Sequence, residues 1–458
     1  MNELQQEVIK AVDYFYQSVL SHSQSNDDEL LVVLPTIIAS YNMVLTERFD
    51  DFYCFQKSNE HEVEENLINE LQELGSKNEG YEEWSSFICE DIKHFRSSKY
   101  PNSCYLIYAT TRALSSIQFV KNCVENEQYA GFFFERLIEA IFERLDGTSA
   151  EFYNSPQIAK LIGLLAESDN GMSLYDPTCG TGSFLLSSAK NKCCLYGQEL
   201  NRKAWSIAKM NLFMHGSTNS KIYLGDSLLN PKTSIGEFDR VVACPPFSLS
   251  FADESRTPLD KPRFPFGIPQ KKADYAFIQH VLSSLNSSGR GVVVVSPGVL
   301  FSSGSDKKIR AQLIESNVVK TIIQLPAGLI FGSNISSAIL VLETGRKDTD
   351  RQIQFIDASN EYSVKSRQHT LSEGNISKIV SWFGSVEPEG GKVAFKSIEE
   401  VRESDFDLTV SRYTFENKTL EHRAIGDIRY EQSALNSKLE KLQIEMTKML
   451  DGISGKSS

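Results

Sequence analysis

Two short motifs, residues 176–183 and residues 244–247, carry the side chains with the clearest potential for chemistry. The first reads Asp-Pro-Thr-Cys-Gly-Thr-Gly-Ser, and its glycines Gly180 and Gly182 permit a tight turn and a close approach of the backbone to a ligand. No Gly-Lys-Ser/Thr follows, so the motif is not a phosphate loop, and it lacks the third glycine of the dinucleotide fingerprint. The spacing therefore predicts a ligand-binding turn of another kind.

Two acidic residues extend this predicted site along the chain. Glu199 follows the next apolar segment, 23 positions after Asp176. In doubly wound folds an acid about 20 residues after such a loop accepts hydrogen bonds from ribose hydroxyls. Asp226 ends the third segment, where a carboxylate can meet the adenine end of a nucleoside. A lone acid at a strand end is usually part of a turn, but three strand ends in series predict a nucleoside-containing cofactor.

The elements that must position these residues are short strands that alternate with helices from residue 173 onward. Helical spacing of apolar residues is visible at residues 202–215 and 273–285. The alternation predicts a doubly wound α/β sheet that helices cover on both faces. We predict strands at residues 173–176, 193–198, 221–225, 240–243, 291–296, 320–325 and 337–343.

The first 145 residues are predicted to be helical, because segments 62–74 and 132–145 place apolar residues at helical spacing. Glutamates crowd positions 60–90 and indicate either a solvated helix face or a contact with a basic partner. The sequence is therefore predicted to form three parts. They are a helical N-terminal domain (residues 1–145), an α/β domain (residues 146–418) and a C-terminal tail (residues 419–458).

The tail carries a regular apolar seam. Its members follow a 4-3-4-3-4 spacing, which is closer to a coiled-coil period than to that of a straight helix. The pattern predicts either an intermolecular coiled coil, through which the chain self-associates or binds a partner, or a helix that folds back on its own domain. The seam consists of Leu435, Leu439, Leu442, Met446, Met449 and Ile453.

Composition excludes several classes of protein. A net charge of −13 argues against a protein that binds nucleic acid with its whole surface, although a local basic patch stays possible. The eight cysteines show no CxxC spacing and the histidines no HxxH pair, so we predict reduced thiols, no metal site and a cytoplasmic protein. The N-terminus does not resemble a signal peptide, and the apolar run at residues 30–45 is too interrupted to span a membrane. We predict a buried helix there.

The motifs, taken in order, resemble the methylation subunits of type I restriction–modification systems, in the N6-adenine DNA methyltransferase family. The resemblance covers roughly residues 130–415 and many separate segments. These are residues 151–156, 176–182, 197–201, 210–212, 215–216, 225–226, 244–247, 273–280, 298–301, 325–329 and 355–359.

The resemblance implies a methyltransferase sheet that binds S-adenosylmethionine and transfers its methyl group to a flipped adenine in DNA. It also implies that a separate specificity subunit reads the DNA sequence, with a restriction subunit as a further partner. The cofactor residues that it implies are Phe152, Tyr153, Asp176, Pro177, Thr178, Gly180, Thr181, Gly182, Ser183, Glu199 and Asp226.

The second motif, residues 244–247, stands where the family holds the target base. There an Asn or Asp side chain and the carbonyl of the next proline accept the two N–H bonds of the amino group, and an aromatic residue stacks on the base. Pro245 and Pro246 stiffen this loop, and Phe247 supplies the aromatic ring. Cys244 departs from the pattern, because a thiol is a weak hydrogen-bond acceptor.

Three interpretations of Cys244 stay open at this point. The chain is a slow or partner-dependent adenine methyltransferase, or it is a catalytically impaired protein that binds cofactor and DNA as a structural or regulatory subunit. In the third, the Cys244 thiol is a nucleophile that attacks a pyrimidine ring.

Residues 256–272 form the predicted DNA contact. This segment holds five basic residues against one acid, with four prolines and two phenylalanines, which predicts an extended loop near the catalytic motif. An ordinary solvated loop is the alternative. No recognition helix is apparent, which agrees with a separate specificity subunit. The predicted DNA-binding residues are Arg256, Lys261, Arg263, Lys271 and Lys272.

Overall fold

A computed structural model describes most of the chain. The described residues are 3–20, 27–57, 62–97, 103–142, 155–190, 192–251, 261–329, 336–365 and 368–415, with short helical stretches between residues 432 and 446. The chain divides into two compact units, Met1–Thr414 and Phe415–Ser458. The predicted boundary between a helical domain and an α/β domain near residue 145 stays a prediction.

A nine-stranded sheet runs through the first unit in the order β11-β8-β6-β7-β5-β4-β1-β2-β3. β7 is antiparallel to β5 and β6, β11 is antiparallel to β8, and the other neighbours are parallel. β9 and β10 form a separate antiparallel hairpin. The strands are β1 (Ser173–Asp176), β2 (Cys194–Glu199), β3 (Lys221–Leu224), β4 (Phe238–Ala243), β5 (Leu285–Val295), β6 (Val319–Gln324), β7 (Ala338–Glu343), β8 (Gln352–Asp357), β9 (Ser363–Lys365), β10 (Gln368–Thr370) and β11 (Val393–Ser397).

Helices fill the N-terminal region and the connections between strands. The N-terminal ones are α1 (Glu3–Phe15), which continues as a π-helix (Tyr16–Leu20), α2 (Asp27–Leu45), α3 (Phe49–Lys57), α4 (Glu62–Lys77), α5 (Glu82–Ser97), α6 (Ser103–Ser116), α7 (Phe119–Glu125) and α8 (Tyr129–Phe142). Those that follow are α9 (Pro156–Ala166), α10 (Ser183–Ser188), α11 (Arg202–Met214), a 3-10 turn (Lys261–Arg263), α12 (Asp274–Ser284), α13 (Gly298–Phe301), α14 (Ser305–Glu315), α15 (Glu373–Phe383), α16 (Ile398–Glu403) and α17 (Val410–Thr414).

Two cores lie on opposite faces of the sheet, because successive side chains of a strand point to opposite faces. In β5, Val292 and Val294 belong to one core, and Val293 and Val295 belong to the other. The first core also contains residues of α1–α11, and the second contains residues of α12, α14 and α16. Helices therefore cover both faces, which confirms the predicted doubly wound α/β class with a helical N-terminal region.

Parallel pairing sets where the functional loops lie. β1, β2, β3 and β4 all run in the same direction, so their carboxyl ends meet at one edge of the sheet. Both motifs and both acids found in the sequence lie at the ends of these strands or in the loops that follow them. All seven predicted strands are present, with β5 beginning six residues before its predicted start, whereas β8, β9, β10 and β11 were not predicted.

The apolar run at residues 30–45 lies in α2, and its described side chains are mostly buried. Across the described ranges, no helix combines the length and the apolar character needed to cross a membrane. In the second unit the described tail residues are helical, and Leu435, Leu439, Leu442 and Met446 are exposed. The coiled coil itself stays a prediction.

Candidate active site

The loop between β1 and α10 is built on two glycines with backbone angles that favour glycine. Gly180 has φ of 52° and Gly182 has φ of 82°, in the left-handed region that costs other residues free energy. At Gly182 a Cβ atom would also lie 3.2 Å from Leu212 Cδ1 of α11. The loop therefore turns tightly and packs closely against the helix behind it.

Asp176, at the end of β1, organises the start of this loop. Its Oδ1 accepts a hydrogen bond from the Thr178 N–H at 2.9 Å. Further along, the hydroxyl oxygens of Thr181 and Ser183 lie 3.1 Å apart, and Pro177 is buried. All the predicted loop residues from 176 to 183 thus belong to one compact turn.

Glu199, at the end of β2, is attached directly to this turn. Its Oε2 accepts from the Gly180 N–H at 2.9 Å, and its Oε1 accepts from the Asn201 N–H at 2.7 Å. The Gly225 N–H donates to the Glu199 carbonyl at 2.9 Å, which brings the end of β3 alongside. Asp226 follows, partly exposed, and its Oδ1 accepts from the N–H groups of the turn after it. The three strand-end acids predicted from the sequence are therefore assembled at one edge.

Burial changes the acidity of the two acids nearest the loop. Burial, together with the nearby Glu199 carboxyl, raises the pKa of Asp176 to about 8. Burial also raises the pKa of Glu199, although backbone N–H groups partly oppose the rise. Among the described residues, no cation is paired with either carboxyl, so a ligand with hydrogen-bond donors or positive charge would be favoured here.

The loop after β4 carries the second motif. Pro245 is buried, Cys244 and Phe247 are half-buried, and Pro246 is exposed. Burial raises the pKa of the Cys244 thiol to about 12, and the neighbouring Asp176 carboxyl adds to the rise. The thiol is therefore neutral at physiological pH, and it lies close to the acid that begins the glycine loop.

Backbone hydrogen bonds tie this loop to the end of the predicted DNA-binding segment. The Phe251 N–H donates to the Lys271 carbonyl and the Ala273 N–H donates to the Leu249 carbonyl, each at 3.0 Å. Lys271 and Lys272 are exposed, and Lys272 Nζ donates to Ser248 Oγ at 2.8 Å. The structure thus brings these two lysines beside the Cys-Pro-Pro-Phe motif.

The predicted role of Arg263 in binding DNA requires a correction. Its side chain is buried, and the guanidinium donates to the carbonyl oxygens of Ser227 at 3.2 Å and Leu228 at 2.8 Å. Phe264 of the same segment is buried in a small core with Phe251 and Phe277. Arg263 therefore holds the loop after β3 in place and is not available to a DNA phosphate in this structure.

Other predicted residues fall outside the described part of the chain. These are Phe152, Tyr153, Arg256 and the side chain of Lys261. Within the described ranges, no three His, Cys, Asp or Glu side chains gather into a group that could hold a metal ion.

Asn211 of α11 was not predicted as a site residue, although it supports the glycine loop. Its Nδ2 donates to the Thr181 carbonyl at 3.0 Å, and the side chain is fully buried. Residues 210–212 are among the segments that carry the family resemblance, but Asn211 lies 12 positions after Glu199 and gives no local signal for such a contact. Only the position of α11 against the loop shows it.

The strand order and the glycine loop at the carboxyl edge are those of an S-adenosylmethionine-dependent methyltransferase sheet. The profile of the N-6 DNA Methylase family matches residues 126–422. The chain therefore belongs to the N-6 DNA methylase family, whose members use S-adenosylmethionine.

Two relatives and one solved structure illustrate the similarity. The chain is 32% identical over 354 residues to the type I restriction enzyme MpnII methylase subunit of Mycoplasma pneumoniae, covering 70% of this chain and 64% of that one. It is 31% identical over 319 residues to the MjaVIII methylase subunit of Methanocaldococcus jannaschii, covering 64% and 55%. The crystal structure of the type I restriction–modification methyltransferase subunit from Streptococcus thermophilus matches with a TM-score of 0.73 and 25% identity, covering 90% of this chain and 99% of that one. The chain thus spans less than two thirds of the length of both relatives.

Proposed function

We propose that the chain is the DNA-methylating subunit of a type I restriction–modification system, and that it transfers the methyl group of S-adenosylmethionine to the exocyclic N6 of adenine. One observation carries this proposal. The glycine loop, the strand-end acids and the Cys-Pro-Pro-Phe loop lie along a single edge of the sheet. A cofactor at the first motif would therefore face a base held at the second.

The residues present fit the cofactor. Glu199 and Asp226 carry the carboxylates that suit ribose hydroxyls and an adenine amino group, and Asp176 lies beside the loop that would surround the methionine part. The buried acids with raised pKa values favour a ligand that brings positive charge. When bound, S-adenosylmethionine supplies an electrophilic methyl group on a sulfonium.

The loop after β4 would hold the target base. The Pro245 carbonyl accepts one N–H of the amino group, which increases electron density on the nitrogen as it attacks, and the Phe247 ring stacks on the base. Cys244 replaces the second acceptor with a thiol. Loss of one preorganised hydrogen bond to a developing charge costs on the order of 3 kcal/mol, or roughly a hundredfold in rate.

Because the Cys244 thiol is neutral, methyl transfer to an adenine amino group is favoured over attack by this thiol on a pyrimidine ring. Nucleophilic attack requires a thiolate, and a pKa of about 12 leaves almost none at physiological pH. Among the described residues, no cationic group acts on the pKa of this thiol, whereas the neighbouring Asp176 carboxyl opposes its ionisation.

A second candidate function rests on the same residue. Cys244 in place of an oxygen or amide acceptor favours a catalytically impaired subunit that binds cofactor and DNA as a structural or regulatory component. Native protein would then bind S-adenosylmethionine without methylating DNA.

DNA, a specificity subunit and a restriction subunit are the proposed partners. Exposed Lys271 and Lys272 supply a local basic patch in an acidic chain. The exposed apolar residues of the C-terminal tail are proposed to mediate assembly, with another subunit or with a second copy of the chain. We also propose a cytoplasmic location. The described cysteines are all free, as is usual for proteins in a reducing compartment.

The experiment uses methyl-labelled S-adenosylmethionine, duplex DNA and the complex with the cognate specificity subunit. We expect label in DNA, released as N6-methyladenine after hydrolysis to nucleosides. Label in 5-methylcytosine would contradict the adenine assignment. Cofactor binding without label transfer would support the impaired subunit, and no cofactor binding by folded protein would contradict both functions.

A further inference from the structure

Helix α11 supports the glycine loop from behind. The Asn211 side chain donates to the Thr181 carbonyl at 3.0 Å, and Leu212 and Ala208 pack where a side chain on Gly182 would stand. These residues of α11 are fully buried. Because protein interiors are close-packed, a shift of α11 would move the loop with it.

The turn between α4 and α5, together with the first turn of α5, holds the same helix from its other side. Tyr81 OH donates to the Lys209 carbonyl at 3.1 Å, and Trp84 Nε1 donates to Ser206 Oγ at 2.9 Å. Lys209 Nζ in return donates to the Gly80 carbonyl at 2.5 Å. We call Gly80, Tyr81 and Trp84 the N-terminal brace.

These contacts are buried and directional. Tyr81 and Trp84 are fully buried, and Lys209 is only 3% exposed. The Lys209 ammonium also lies 4.5 Å from the centre of the Tyr81 ring. A network of buried hydrogen bonds adds directional constraints to this packing and favours one arrangement of the groups that it joins. The brace therefore sets the height and rotation of α11.

We propose that the N-terminal brace is a positioning element of the cofactor site. It fixes α11, and α11 fixes the Thr181–Gly182 turn that surrounds the cofactor. This proposal rests on the proposed function, since the ligand of the loop is taken to be S-adenosylmethionine. It gives the N-terminal helices an indirect, positioning role in cofactor binding, in a region where the sequence showed only an acidic helical character.

The experiment compares two double variants of the full chain. Tyr81→Phe with Trp84→Phe removes one hydroxyl and one indole donor from the brace. Trp382→Phe with Tyr413→Phe removes the same two kinds of donor near β8, at the opposite end of the sheet. There Trp382 Nε1 donates to Glu389 at 2.8 Å and Tyr413 OH donates to the Asp407 carbonyl.

Calorimetry measures S-adenosylmethionine affinity, thermal unfolding measures stability, and hydrogen exchange reports on the amides of residues 178–183. We expect the brace variant to bind the cofactor about three- to thirtyfold more weakly, because one lost hydrogen bond is worth about fivefold in an equilibrium constant. Its loop amides should exchange faster. The control variant should lose similar stability but keep native cofactor affinity and loop exchange.

Equal cofactor affinity in the brace variant and the native chain would overturn the proposal. So would equal weakening in both double variants, because general destabilisation would then explain the effect. If the brace variant does not fold, Ser206→Ala removes only the acceptor of Trp84 and allows the same comparison. A native chain that does not bind the cofactor would contradict the proposed function, and loop exchange in ligand-free protein would still test the brace.

Discussion

The backbone N–H of Gly180 donates to Glu199 Oε2 at 2.9 Å, which joins the loop after β1 to the acid at the end of β2. The second oxygen of the same carboxylate accepts from the Asn201 N–H at 2.7 Å. Glu199 is therefore held from two sides and shapes the glycine loop while it presents a charge to any ligand. A substitution there should disturb loop and ligand together.

Glu199→Gln tests this double role. The amide has a similar size, but one acceptor oxygen becomes a donor that cannot accept from Gly180 or from a ribose hydroxyl. We expect S-adenosylmethionine affinity to fall about tenfold or more, since a hydrogen bond to a charged group is worth about 1.5–3 kcal/mol. Calorimetry measures it, with Glu237→Gln as the control because Glu237 accepts from the Ser234 N–H away from the loop. Unchanged affinity in Glu199→Gln would remove Glu199 from the site.

The raised pKa of Asp176 predicts that cofactor affinity depends on pH. Its pKa of about 8 means that the carboxyl is largely protonated at pH 7 in the free protein. A cationic cofactor favours the carboxylate, so binding should release a proton and tighten as pH rises from 6 to 8, by at most about tenfold per pH unit. Calorimetry in buffers of different ionisation enthalpy measures the release. Asp176→Asn should abolish most of it, and equal heats in all buffers for native protein would contradict the prediction.

Substitution of Arg263 should lower stability, whereas substitution of Lys271 and Lys272 should weaken DNA binding. Arg263→Ala removes the guanidinium donors from the buried carbonyls of Ser227 and Leu228, so we expect a loss of about 2–4 kcal/mol in the free energy of unfolding. Lys271→Gln with Lys272→Gln should leave stability unchanged. It should weaken DNA binding by the assembled complex and lower the slope of log affinity against log salt by about 0.9 for each DNA phosphate that a lysine no longer neutralises. Chemical denaturation and DNA titrations at several salt concentrations measure both effects, and an unchanged salt slope would exclude the lysines from the DNA interface.

The sheet was predictable where apolar strands alternate with helices, and less so elsewhere. β1 was predicted with its observed bounds, because its residues separate cleanly from the polar segments around them. β5 begins at Leu285, six residues before the predicted start, since its first part is polar and contains a glycine. The sequence analysis missed β8, β9, β10 and β11. β11 is an edge strand with only one fully buried residue, so its sequence lacks the alternation that marks a strand.

Single residues of the candidate site were likewise predictable only where a local sequence pattern marks them. Glu199 could be predicted as a site residue because its spacing from the glycine loop follows from the βαβ connection. Lys209 and Asn211 were not found, because their partners lie 129 and 30 residues away along the chain. Arg263 was misjudged for a related reason: a basic residue in a polar loop is normally exposed, but here two carbonyl oxygens of another loop need its donors. Contacts between distant segments decide such cases, and one sequence does not encode them locally.

The exposed apolar residues of the C-terminal tail predict a separable assembly element. Leu435, Leu439, Leu442 and Met446 are each more than half exposed, so their apolar surface would be buried only by another chain or segment. Truncation after about residue 425 should leave cofactor affinity unchanged and abolish association with the specificity subunit or with a second copy. Light scattering and pull-down assays measure association. A matched full-length variant, Leu435→Glu with Leu442→Glu, should have the same effect, and unchanged assembly in both would limit the seam to packing within the chain.

Cys244 gives the sharpest test of the chemistry. If the chain is an adenine methyltransferase that lacks one acceptor, Cys244→Asn restores a side-chain oxygen at the position where the thiol accepts poorly. The rate of N6-adenine methylation by the assembled complex should then rise about tenfold or more, with little change in cofactor affinity, because the new hydrogen bond acts on the attacking amine. Cys244→Ser is the matched control, since its hydroxyl is smaller than the amide and should help much less.

The opposite outcomes are equally informative. If the Cys244 thiol were a nucleophile, Cys244→Asn and Cys244→Ser would both abolish methylation, and native protein would form a covalent adduct with DNA containing 5-fluorocytosine. Mass spectrometry of the protein detects such an adduct. A pKa of about 12 makes that adduct the unexpected result, because the thiol stays protonated beside Asp176. If neither native protein nor Cys244→Asn methylates DNA in the complex, while both bind S-adenosylmethionine, the subunit binds its cofactor and target without transferring the methyl group.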